Sequence, residues 1–102
     1  MLFLTEESEL ELKPKIQVLY FYASWMPYHK KMQFMLGKME EKYSNIDFFA
    51  VDIDFFKTFI KRFNIDSIPT ILFLNDGKEI KRINGLVLTS ALKSTFVDIC
   101  KI

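Results

Sequence analysis

The chain has 102 residues and a formal net charge of +1, and half of its residues are apolar. That length fits a single domain, residues 1–102, and that apolar share excludes a disordered chain. Acids and bases are interspersed and no long basic run appears, so nucleic acid is not an expected partner.

The N-terminal stretch "MLFLTEESELELKPK" lacks the basic start and apolar centre of a signal peptide. Within it, "LFL" reads as a short strand and "EESELEL" as a short helix. No apolar run approaches the roughly 20 residues of a membrane span. The expectation is a cytoplasmic chain that makes no membrane contact. "KIQVLYFYA" (Lys15–Ala23) is rich in β-branched and aromatic residues and long enough for a strand buried on both faces. Pro14 fits the entry to a strand and not a helix interior.

The next segment, "YHKKMQFMLGKMEEKY", places Met32, Met35, Leu36, Met39 and Tyr43 on one helical stripe. Gly37 inside it costs about 1 kcal/mol against Ala unless packing requires it. "IDFFAVDI" (Ile46–Ile53) reads as a second strand. Asp54 is placed to cap a following helix, whose apolar stripe is Phe55, Phe56, Phe59, Ile60 and Phe63. "PTILFL" (Pro69–Leu74) is a third strand. Asp76-Gly77 gives a tight turn, and "EIKRIN" (residues 79–84) returns antiparallel. Gly85 follows. Thr89 is placed to cap a last helix with Leu92, Phe96, Ile99 and Cys100 on its inner side. Cys100, the one cysteine, then reads as a small core residue that has no disulfide partner in the chain.

Eleven Phe in these strands and helices point to a stacked aromatic core. Alternating strands and helices give an α/β domain, with a central mixed sheet of four to five strands and helices on both faces.

Four stretches, in this order, resemble the thioredoxin family. They are "VLYFYASW" (Val18–Trp25), "VDID" (Val51–Asp54), "FNIDSIPTILFLNDGKEI" (Phe63–Ile80) and "RINGLVLTSALKSTF" (Arg82–Phe96). The match they anchor covers nearly the whole chain, about residues 1–100, and the resemblance implies a thioredoxin-like fold. The departures from the family pattern carry more information. Where the family reads Trp-Cys-Gly-Pro-Cys-Lys, this chain reads Trp25-Met26-Pro27-Tyr28-His29-Lys30. Met26 takes the place of the nucleophilic cysteine and His29 that of the resolving cysteine. By the same resemblance the family's buried acid falls on Tyr20, its accompanying lysine on Ala50 and its kink proline on Phe34.

Thiol–disulfide exchange needs a thiolate to attack a sulfur. A thioether has no ionisable proton, and an imidazole does not replace a resolving thiol. Dithiol catalysis is therefore not expected. What the resemblance retains is a groove: Trp25, Met26, Tyr28 and His29 on one side, Ile68 and Pro69 on the other, with Gly85 flanking. It implies a cis bond before Pro69 and an Ile68 backbone open to strand-like pairing. That cis bond has two open readings, a tight entry into the strand or a binding groove.

Trp25, Met26 and Tyr28 either form an adaptable apolar lip for a protein or fill the space the motif always occupies. His29, near the start of a helix and beside Lys30 and Lys31, is expected to be neutral at pH 7. Met26 and His29 offer two soft metal ligands without a third, so no metal or other cofactor is expected.

The function implied is a redox-inactive protein- or peptide-binding module. The alternatives are the N-terminal thioredoxin-like domain of a multidomain monothiol glutaredoxin, a redox-homeostasis protein acting through Cys100, and a purely structural subunit.

Overall fold

A computed structural model describes residues 1–101. Five strands and three helices form in the order β1 (Leu2–Phe3), β2 (Ile16–Tyr22), α1 (His29–Lys42), β3 (Asp47–Asp52), α2 (Lys57–Arg62), β4 (Thr70–Asn75), β5 (Lys78–Asn84) and α3 (Thr89–Ile99), with a single 3-10 turn at Glu7–Glu9. The sheet order is β1-β3-β2-β4-β5. β1, β3 and β2 run parallel, and β4 lies antiparallel to both β2 and β5. The α/β architecture read from the sequence is the one observed. No helix among the described residues is long and apolar enough to cross a membrane.

Because side chains alternate across a strand, β2 feeds two cores. Val18, Tyr20 and Tyr22 point to the layer containing α1 and α3. Leu19 and Phe21 point to the layer containing Phe56 and Phe59 around α2. The first core is centred on Phe96, whose ring stacks on Phe48 and Tyr43 and meets Phe73 edge-on at 5.2 Å. The helical stripe of Met32, Met35, Leu36 and Met39 is buried against it.

The two-residue turn between β4 and β5 holds Asp76 at φ 54° and Gly77 at φ 76°, the left-handed pair that matches the twist of a hairpin. A register shift at Phe73/Leu74 adds one residue to β5, a bulge that increases the local twist.

Four local expectations are corrected. Asp54 does not cap α2. That helix starts at Lys57, with Phe56 in the cap position and no side-chain cap bond, because the Asp54 carboxylate is turned to Trp25. Phe55 then precedes the first turn and lies exposed instead of on the inner stripe. Thr89 is inside α3, with Leu88 in the cap position and no side-chain cap bond. Cys100 is exposed, not a core residue. Leu92, Phe96 and Ile99 line the inner face of α3. Eight residues beyond Leu92, Cys100 has turned about 80° off that line.

Candidate functional site

The six-residue stretch Trp25–Lys30 joins the end of β2 to the first turn of α1. The loop is tightly wound: Met26 N–H donates to the Ala23 carbonyl (3.0 Å) and His29 N–H to the Met26 carbonyl (3.2 Å). This winding drives the Met26 side chain inward. It is 8% exposed and belongs to the core shared by α1 and α3. The expected lip of Trp25, Met26 and Tyr28 therefore lacks its middle member. Met26 fills interior space, and Trp25 and Tyr28 alone remain at the surface.

Trp25 is 68% exposed, yet its indole is held in place. Nε1–H donates to Asp54 Oδ2 at 3.1 Å. Asp54 comes from the turn after β3, where its own N–H donates to Asp52 Oδ1 at 2.9 Å. Asp52, Asp54 and Trp25 thus form a relay that fixes an apolar ring against solvent.

Trp25 shares a depression of about 310 Å³ with Ile53, Ile60, Ile65 and Ile68. The Ile68-Pro69 peptide bond is cis. Pro69 is buried, and its carbonyl accepts the Gly85 N–H at 2.7 Å. Gly85 has φ 84°, a conformation that favours glycine. Among the described residues, no hydrogen bond engages the main chain of Ile68. Tyr28 faces away from this depression and lines another with Leu86, Val87 and Leu88. The groove read from the sequence is thus divided. Trp25 and Ile68 stand together, Tyr28 stands apart, and Met26 lies beneath the surface.

His29, half-buried at the first position of α1, sits in an aromatic slot. Its ring stacks on Tyr22 at 4.3 Å and 5° and meets Phe3 edge-on. Nδ1 lies 3.0 Å from the Tyr20 hydroxyl. Tyr20 is wholly buried. Burial, with Tyr22 adding to it, pushes the Tyr20 hydroxyl far above the usual phenol range, so it keeps its proton. His29 Nδ1 is the hydroxyl's one hydrogen-bond partner among the described residues. A buried hydroxyl proton needs an acceptor. Tyr20 therefore donates, and the neutral imidazole carries its proton on Nε2. Burial also lowers the His29 pKa below its ordinary value of 6.5, and the nearby Asp52 partly opposes this. The neutral His29 expected at pH 7 follows, with burial as its main cause.

Tyr22 and Asp54 are the site residues that sequence reading missed. The spacing of Tyr20 and Tyr22 puts both on one face of β2, which was the available signal for Tyr22. Asp54 gave no sign of its tie to Trp25, because its position suggested a helix cap.

Residues 4–98 match the family model described as Thioredoxin. The chain belongs to the thioredoxin family. Thioredoxin H2 of Arabidopsis thaliana is 32% identical over 78 residues, which cover 76% of this chain and 59% of that protein. Thioredoxin-2 of Saccharomyces cerevisiae is 32% identical over 79 residues, covering 78% of this chain and 76% of that protein. The match to Thioredoxin H5 of Arabidopsis thaliana likewise covers only 60% of that relative.

Among solved structures, thioredoxin NaTrxh from Nicotiana alata superposes with a TM-score of 0.85 at 25% identity, covering 95% of this chain and 90% of that one. The oxidised thioredoxin of Plasmodium falciparum superposes with a TM-score of 0.87 at 23% identity, covering 96% of each chain. This second likeness supports the fold alone. Against the thioredoxin motif, this chain brings a buried thioether and a stacked imidazole to the two cysteine positions. Its one thiol, Cys100, closes the far end of α3. The start of α3 lies next to the Tyr28 depression, and the helix carries Cys100 about 16 Å away along its axis.

Proposed function

We propose that this thioredoxin-family domain binds an extended segment of a partner protein at the Trp25–Ile68 depression and carries out no dithiol–disulfide exchange. The observation that carries the reading is the pairing of an exposed, Asp54-anchored Trp25 with an Ile68 main chain that makes no hydrogen bond among the described residues. A fixed aromatic face offers apolar contact at little entropic cost. A free N–H and C=O beside it offer strand-like pairing to an incoming chain. Ile53, Ile60 and Ile65 complete an apolar floor for the partner's side chains.

The absence of exchange follows from atoms. A mixed disulfide needs a sulfur that can become a thiolate. Met26 offers a thioether, and His29 Nδ1 already accepts a bond from Tyr20. The domain is expected to act in the cytoplasm, as an adaptor or regulatory module.

Affinity capture from the source cell, with wild type and Trp25→Ala in parallel, tests the binding half. A partner retained by wild type and lost by the variant is the expected result. Equal retention would remove Trp25 from the interface.

The exposure of Cys100 favours one second reading, monothiol chemistry at the end of α3. That reading requires thiol-dependent turnover that disappears in Cys100→Ser.

A further inference from the structure

Two adjoining depressions run between α1 and α3, with volumes of about 220 and 440 Å³, and they share Lys31 and Met35. Leu86 and Leu88 border the first; Phe34 and Leu92 border the second. The floor is apolar, since Met32, Met35, Met39 and Leu92 are buried core residues. The borders are apolar as well: Phe34, Leu86 and Leu88 are large side chains left exposed, Phe34 to 66%. Lys31, Lys38 and Lys93 rim the trough, and no carboxylate is among the described residues that line it.

We propose that the α1–α3 trough docks an acidic amphipathic helix of a partner protein. Contiguous exposed apolar surface on a small domain marks an interaction site, and a methionine floor adapts to the side chains placed on it. Charge selects the occupant. Three lysines with no acid among the lining residues complement Glu and Asp on the flanks of an incoming segment and oppose a basic one.

Backbone chemistry selects its conformation. Over the second depression the walls are the helices α1 and α3, whose interior amides and carbonyls are already bonded within each helix, while the loop residues Leu86–Leu88 close the end of the first. The free edges of the sheet belong to β1 and β5, and neither strand is among the described residues that line the trough. A segment docked between the two helices finds no sheet edge to pair with, so it must satisfy its own hydrogen bonds, as a helix does. The trough follows α1 and α3, which have 14 and 11 residues, so it accommodates about three turns of helix. The surface is separate from the Trp25–Ile68 depression; of the groove residues read from the sequence, only Tyr28 borders it.

The test titrates isotope-labelled protein with a synthetic helix of about 14 residues. The peptide carries Leu at i, i+3, i+4 and i+7 and Glu along both flanks. Its controls are the same peptide with Lys in place of Glu and a scrambled Glu peptide. The expected result is saturable amide shifts at Lys31, Phe34, Met35 and Leu92, weakened by added salt. Phe34→Ser, and Lys31→Glu with Lys93→Glu, should each weaken binding about tenfold or more. All three side chains are exposed, so unchanged melting curves should confirm that the fold is kept. Trp25→Ala should leave this binding unchanged, which separates the two surfaces.

The proposal is overturned by the absence of saturation at about 1 mM peptide, by equal binding of the Lys or scrambled peptide, or by shifts centred on Trp25 and Ile68. Self-association through this face in sedimentation would overturn it in favour of a second copy of the chain. Saturable uptake of dodecanoate without peptide binding would overturn it in favour of a lipid.

Discussion

The Tyr20 hydroxyl donates to His29 Nδ1 across 3.0 Å, and the imidazole lies flat on Tyr22. In the thioredoxin family pattern these two positions hold the buried acid and the resolving cysteine. Here they hold a hydroxyl that keeps its proton and a ring that accepts a hydrogen bond from it. The pair is a structural plug in the place where proton transfer to a thiol would occur.

This pair makes stability depend on pH. The folded-state pKa of His29 is lowered from 6.5, so the unfolded chain takes up the proton first. The His29 contribution is complete above about pH 6.5 and is lost as pH falls from there to the folded-state pKa. Urea unfolding midpoints measured from pH 7.5 to 5 should decline in wild type. The decline should be smaller in His29→Gln. Imidazole resonances followed by NMR should give a His29 pKa below 6.5.

Tyr20→Phe removes the one donor to Nδ1 among the described residues. The loss should cost about 1–2 kcal/mol in chemical unfolding.

Gly37 lies in the middle of α1, and a Cβ built there meets nothing within 4 Å. Packing therefore does not require glycine at this position. Gly37→Ala should stabilise the domain by about 0.5–1 kcal/mol, read as a higher urea midpoint with an unchanged slope.

Phe96 and Phe55 make opposite predictions from the same residue type. Phe96 is buried among Phe48, Tyr43 and Phe73, and Phe96→Ala should cost about 3–5 kcal/mol. Phe55 is exposed ahead of α2, and Phe55→Ala should change stability by less than about 0.5 kcal/mol. Thermal melts of the two variants should separate clearly.

Trp25 is the only tryptophan, so its emission reports on its surroundings alone. Asp54→Ala removes the acceptor for the indole N–H. Fluorescence anisotropy should fall as the ring gains freedom, with little change in stability, because the ring is solvent-exposed.

The sequence made the architecture legible because two patterns were strong. The continuous apolar run Val18–Tyr22 specifies a strand buried on both faces, and the three- and four-residue spacing of the α1 methionines specifies one buried helix face. The Asp76-Gly77 turn fixed the hairpin through backbone conformation alone. Helix ends were less legible. Asp54 and Thr89 are good capping residues by type, but one carboxylate is taken by an indole from another part of the chain, and the other residue lies one position inside its helix. Cys100 was misplaced because helical phase drifts past the inner face over two turns.

At the site, Trp25 and Ile68, placed by the sequence reading on two sides of one groove, line one depression. Of the two readings left open for Met26, a surface lip or the filling of space, its burial supports the second; the inward winding of the loop depends on bonds to Ala23 and His29 that leave no sequence signature. The stack of His29 on Tyr22 needed the three-dimensional register of β2 against α1.

Reduction of insulin disulfides by dithiothreitol, followed by turbidity with wild type, Cys100→Ser and a Met26→Cys/His29→Cys variant, most directly tests the claim that this thioredoxin-family domain recognises without exchanging thiols. Wild type and Cys100→Ser should both match the rate without protein. The restored pair should gain little, because Tyr20 and Ala50 occupy the positions of the family's acid and lysine. Wild-type acceleration that disappears in Cys100→Ser would contradict the account.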